Sequence, residues 1–212
     1  MRRFAVVFLF LCLALATPWV RAQVPQAGAP AIAWAYGEKL HLAGVPNAGK
    51  ISDQLFRGAQ PRGGGLEQLK KVGITTIVDL RSEDSSARER EKREAEALGI
   101  HFVSIPVSGW SAPSRDQVAQ FLSLFGEKSA RVFVHCRFGE DRTGVFVAIY
   151  RMAIEKWPVD AAMKEMYFFG YNGFWHRAMS AYVRKFPALL SSTAAFAASG
   201  GANASAPVAA HN

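Results

Sequence analysis

Along this chain, short runs of β-branched and aromatic residues alternate with stretches where apolar residues recur every three or four positions. Leu55-Phe56-Arg57, residues 74–80, residues 100–105 and Val132-Phe133-Val134 predict four strands. Leu66, Leu69 and Val72 share one side of a short helix that Gly73 ends. Residues 85–98 predict a charged helix. Its i,i+4 pairs Glu89–Arg93, Arg90–Glu94 and Lys92–Glu96 mark a solvated outer face. Ser114 with Gln117 predicts a capping box, followed by a helical stripe of Val118, Phe121, Leu122 and Phe125. A strongly apolar helix opens near Arg142, and residues 158–169 and 174–186 predict two more. Strands alternating with helices imply one α/β domain: a central, mostly parallel sheet of about four or five strands with helices on both faces.

The ends of the chain read differently. Arg2 and Arg3, the apolar run from Phe4 to Ala16 and Val20-Arg21-Ala22 have the form of a secretory signal peptide over residues 1–22. Its apolar run is too short to span a bilayer comfortably, so stable membrane insertion is not expected. Residues 23–49, rich in Ala, Gly and Pro, predict a loosely ordered lead-in. Trp34, Tyr36 and Leu40 are its candidates for packing on the domain edge. The domain proper is expected over 50–187. An Ala/Ser/Gly-rich tail over 188–212 is expected to be disordered because it cannot bury enough apolar surface. The expected location is therefore outside the cytoplasm, in a bacterial periplasm or secreted, after cleavage near Ala22.

Composition narrows the partners. Losing Arg2, Arg3 and Arg21 with the first segment reduces the formal charge from +8 to +5. That is mildly basic, with no Lys/Arg stripe for nucleic acid. No His/Cys/carboxylate set has metal spacing, and no cofactor is expected. Processing would also remove Cys12 and leave Cys136 as the sole thiol. A lone thiol in an oxidising compartment is exposed to irreversible oxidation. A monomer is expected.

The chemistry concentrates in residues 131–144, Arg-Val-Phe-Val-His-Cys-Arg-Phe-Gly-Glu-Asp-Arg-Thr-Gly. A buried strand feeds a tight loop that ends at a helix N-terminus, where amides and helix dipole favour an anion. Thiolates are nucleophiles, and a helix N-terminus beside a guanidinium favours the thiolate form of a cysteine. The planar fork of Arg142 matches two phosphate oxygens. Gly139 lets the backbone turn its N–H groups inward. Thr143 can donate its hydroxyl to the sulfur, and His135 behind Cys136 can hold the loop. His176 and Arg177 are possible phosphate neighbours, with a structural role favoured.

His-Cys-x5-Arg-Thr-Gly resembles the signature loop of cysteine-dependent tyrosine and dual-specificity phosphatases. Phe56-Arg57-Gly58-Ala59-Gln60-Pro61 and Thr76-Ile77-Val78-Asp79-Leu80-Arg81 are similar to the atypical branch found in bacteria, fungi and plants. The resemblance covers about residues 50–185. It implies hydrolysis of phosphate monoesters through a phosphocysteine on Cys136, on phosphorylated protein or a small phosphate ester. The amides of Arg137, Phe138, Gly139, Glu140, Asp141 and Arg142 would hold the oxygens. An inositol or lipid phosphate is an alternative substrate, although the acidic Glu140 and Asp141 beside Arg137 lean away from it. A non-catalytic phosphate-binding module and a rhodanese-like sulfurtransferase are alternatives of another class.

The chain departs from the family at the general acid. The stretch 102–114, where many members carry an aspartate, has no carboxylate. Asp141 is the leading candidate by position. Asp79, Asp84 and Asp116 are the others.

Overall fold

The structure is a computed structural model that describes residues 34–200. The proposed signal segment, Cys12, residues 23–33 of the lead-in and residues 201–212 of the tail lie outside the described residues. The domain is a six-stranded mixed sheet in the order β1-β2-β3-β6-β4-β5. Its strands are β1 (Glu38–Lys39), β2 (Gly49–Lys50), β3 (Leu55–Ala59), β4 (Thr76–Arg81), β5 (His101–Val107) and β6 (Val132–Cys136). β3, β6, β4 and β5 run parallel, while β1 and β2 form an antiparallel edge on β3. The parallel four match the four apolar runs in the sequence. β5 extends through Pro106, which an edge strand tolerates because a proline there forfeits no ladder donor.

β6 lies in the middle and is buried on both faces. Val132 and Val134 join Leu55, Val78, Leu80, Phe121 and Phe146 on one side. Phe133 joins Phe56, Ile77, Leu69, Ile100 and Phe102 on the other. The second side is covered by α1 (Gly65–Lys71) and α2 (Ser85–Ala97). The first is covered by α3 (Arg115–Ser123) and α4 (Asp141–Ala153). Behind α4 pack α5 (Val159–Phe168) and α6 (Arg177–Gly200), through Val145, Ile149, Met166, Met179 and Val183. α4 therefore has no solvated face over most of its length. Each of these large apolar side chains contributes roughly 1.5–3 kcal/mol by leaving water.

Three expectations need correction. Residues 34–49 are not a loose lead-in. The Gly37 N–H donates to Glu165 Oε1 at 2.7 Å, and Glu165 is held bidentately by Arg151 (2.9 and 2.6 Å), all buried. Trp34 lies 5.1 Å from the Trp157 ring. The β1–β2 pair is short enough that alternation gave no signal. The last helix does not end at Phe186 but continues to Gly200 across Pro187, so residues 188–200 are helical rather than disordered. Alanine has the highest helix propensity, and it prolongs a helix that packing at Met179, Val183 and Phe186 has already nucleated. That helix also starts at Arg177, leaving residues 172–176 as a loop. Among the described residues, no helix is long and apolar enough to cross a membrane.

Candidate active site

The loop between β6 and α4 is residues 137–140, at the C-terminal end of the central strand, where α/β sheets bind ligands. Cys136 is the last residue of β6, a free thiol only 3% exposed. Gly139 takes φ +71°, and a Cβ there would meet the Ala59 nitrogen at 2.6 Å. Only glycine fits both the turn and the closeness of β3. The Gly139 carbonyl accepts from the buried Arg57 guanidinium and from Asn47 Nδ2 at 3.2 Å.

Arg57 is a fully buried cation stacked 4.1 Å over the Phe169 ring. Burial pulls its pKa down to about 10, against the opposing charges of Cys136, Glu165 and Glu140. Its Nε and Nη1 have no hydrogen-bond partner among the described residues. Arg57 thus supports the loop from beneath, with its charge coupled to Cys136.

His135 is fully buried behind Cys136. Its Nδ1 lies 3.3 Å from the Cys136 carbonyl and its Nε2 lies 2.8 Å from Glu91 Oε1. Glu91 in turn accepts from Arg81 at 2.7 Å, and Arg81 grips Asp79 through two bonds of 2.8 Å. Burial by itself would lower the His135 pKa, but the charge and hydrogen bond of Glu91 outweigh it and raise it above the usual value. With His135 protonated, the buried set of two cations and two carboxylates is neutral. Glu91, placed by sequence within a charged solvated helix, is therefore a buried member of the site's support.

Arg142 is 8% exposed at the start of α4. Its Nη1 donates to Val107 O at 3.3 Å and Leu80 O at 3.4 Å, the ends of β5 and β4. Glu83 closes on the guanidinium end, with Oε2 2.7 Å from Nη1 and Oε1 2.8 Å from Nη2. The Arg142 hydrogen bond is the main reason the Glu83 carboxyl is held down to about 2. Thr143 Oγ1 is buried without a hydrogen-bond partner among the described residues.

These groups open onto a cavity of about 500 Å³ whose wall includes Glu83, Trp110, Cys136, Arg137, Phe138, Asp141, Arg142 and His176. A larger hollow of about 620 Å³ lies between α1 and α2, but it contains no nucleophile. Glu140 is the N-cap of α4, and burial raises its carboxyl pKa. The acid candidates separate. Asp141 lines the cavity. Asp79 is locked on Arg81, Asp84 caps α2 by accepting from Ala87 N at 2.9 Å, and Asp116 sits in the first turn of α3. None of those three reaches the cavity wall, because each serves a local structural contact or lies on another element.

Sequence reasoning missed Glu83, Asn47 and the supporting roles of Arg57 and Glu91, and favoured a structural role for His176, which the fold places in the cavity wall. One signal for Glu91 was present: Ala87, Glu91 and Ala95 recur at i, i+4 and i+8, and these are the buried residues of α2.

Residues 45–181 match the family model described as "DSP-PTPase phosphatase fused to NAD+ Kinase". The dual specificity protein phosphatase TpbA of Pseudomonas aeruginosa PAO1 is 30% identical over 176 residues, covering 80% of this chain and 73% of the relative. Its counterpart in strain UCBPP-PA14 is 29% identical, and there the match spans 62% of the relative's length. The crystal structure of P. aeruginosa TpbA superposes with a TM-score of 0.63 at 24% identity, covering 76% of this chain and 98% of that one. The catalytic core of the PP-IP phosphatase SIW14 from S. cerevisiae superposes at 0.57 with 14% identity, covering 76% and 96%. These two superpositions speak to the fold.

Proposed function

The chain belongs to the dual-specificity phosphatase-like family of cysteine-based phosphatases, and from that premise we propose that it hydrolyses phosphotyrosine-type monoesters through a phosphocysteine on Cys136. One observation carries this reading. The thiol sits at the C-terminal end of the central strand, in a cavity where the Arg142 fork meets two aromatic walls, Trp110 and Phe138. The loop amides and Arg142 stabilise the equatorial oxygens as charge spreads onto them. Gly139, pinned by Arg57 and Asn47, keeps the cradle formed before substrate arrives.

The walls support an aryl over a polyphosphorylated substrate. Trp110 is 70% and Phe138 56% exposed, and both can flank a phenyl ring. Arg137 and Arg142 are the cavity's cations, and Glu83 already pairs with Arg142. A highly charged inositol phosphate would find few further counter-charges. TpbA has a structure in complex with pTyr, and SIW14 is named a PP-IP phosphatase. The two readings separate in a phosphate-release panel. The expected order is phosphotyrosine peptide, then phosphoserine and phosphothreonine peptides, then inositol polyphosphates. Preference for the inositides reverses the assignment.

The reading places the enzyme outside the cytoplasm as a monomer, cleaved near Ala22. The charged and apolar pattern of residues 2–16 supports the export and the cleavage. N-terminal sequencing of exported protein should begin at Gln23. A retained Met1 in the membrane fraction would contradict it.

A further inference from the structure

The cavity has a nucleophile and a phosphate clamp, but its proton donor is not a free carboxyl on the loop facing it. Ser108, Gly109 and Trp110 line the cavity from that side, and none is acidic. The wall holds two carboxylates, Glu83 and Asp141. Glu83 is gripped at both oxygens by Arg142 and is ionised at neutral pH. It has no proton to give.

Asp141 is also held at both oxygens, by partners of another kind. The Asn172 N–H donates to Oδ1 at 3.2 Å, and His176 Nε2 lies 3.1 Å from Oδ2. Both partners come from the 172–176 loop, which Tyr171 braces by donating to the His176 carbonyl at 2.7 Å. Trp110 stacks on the imidazole, with centroids 5.2 Å apart and planes at 28°. The ring thus has Trp110 of the acid-free loop against its face and Asp141, the first residue of α4, at its Nε2 edge. His176 Nδ1 is buried with no partner among the described residues, so Nε2 is the nitrogen that engages the site.

We propose, on the phosphatase reading above, that Asp141 and His176 form one proton-transfer pair that replaces the missing acid. The pair carries one transferable proton, held on Oδ2 or on Nε2 3.1 Å away. In the first step Cys136 Sγ bonds to phosphorus and the bond to the leaving oxygen breaks. That oxygen takes the shared proton, leaving a carboxylate and a neutral imidazole. In the second step water attacks the phosphocysteine and gives its proton to the pair, while the S–P bond breaks and thiolate departs. An imidazole can both give and take a proton through one ring nitrogen, so the pair serves both directions. The other charged groups on the same wall are Glu83, Arg137 and Arg142.

The test is the dependence of kcat/KM on leaving-group pKa, measured with substituted phenyl phosphates and an alkyl phosphate on the full chain. The slope is independent of how much of a variant is folded. Wild type should show a shallow slope. His176→Gln and Asp141→Asn should each steepen it, losing about 100-fold or more on the alkyl ester and little on p-nitrophenyl phosphate. The double variant should be no steeper than either single one, because the residues act as a unit. A wild-type slope in His176→Gln overturns the pair and leaves Asp141 acting alone. A slope already steep in wild type overturns proton donation altogether. Undiminished turnover by Cys136→Ser is a separate outcome, and it removes the phosphocysteine reading together with the pair.

Discussion

Glu83 and Arg142 meet end to end at the mouth of the loop, carboxylate oxygens 2.7 and 2.8 Å from the two terminal nitrogens of the guanidinium. The same Nη1 reaches the carbonyls of Leu80 and Val107. The Nε edge of the fork takes no part in these contacts, so on the proposed function Glu83 aims Arg142 at phosphate rather than blocking it.

The first prediction follows from that aim. Glu83→Gln should lower kcat by about 10- to 100-fold, because a misdirected clamp loses transition-state contacts. Vanadate affinity should fall with it. Faster turnover or tighter vanadate binding in the variant would show that Glu83 competes with the substrate instead. Steady-state kinetics with vanadate inhibition reads both.

Arg142→Lys tests the fork itself. Lysine keeps the charge but offers no planar pair of donors. Most of the activity should disappear, while thermal stability changes modestly. Retained activity would mean that charge alone suffices.

The third prediction concerns pH. His135 has its pKa raised in the folded state, because Glu91 outweighs the cost of burial. Its stabilisation is therefore fully present below the unfolded value of ~6.5 and is lost as pH rises through the folded value. The thermal midpoint should decline as pH rises above ~6.5, and Glu91→Gln should flatten that decline. Equal slopes in the two proteins would exclude His135 as the source.

Gly139→Ala addresses the cradle. A Cβ at φ +71° would press on the backbone of β3, 2.6 Å from Ala59 N. The loop must shift, and its amides turn away from the anion. Vanadate protection against heating should vanish even where the variant stays folded by circular dichroism. Protection equal to wild type would mean that the loop has slack.

The parallel strands and the nucleophile loop were legible because each is contiguous in sequence. A buried parallel strand writes itself as Val-Phe-Val, and Cys136, Gly139 and Arg142 fall within seven consecutive residues. What encloses that loop was not legible. Asn47 arrives from the β1–β2 segment, Arg57 from β3, Glu83 from the end of β4 and His176 from the loop before α6. These residues meet only through the sheet order and the stacking of α5 and α6 behind α4, which local pattern does not encode. Glu91 was hidden for another reason. A carboxylate among charged neighbours reads as surface until its buried partner, His135, is known.

The central claim is a covalent phosphocysteine, and rapid quenching with a good aryl phosphate tests it most directly. Phenol should appear in a burst of about one per active site. Peptide mapping of the acid-quenched protein should find the phosphoryl group on Cys136, and Cys136→Ser should show neither. Turnover without a burst, or a phosphoryl group on any other residue, would contradict the account.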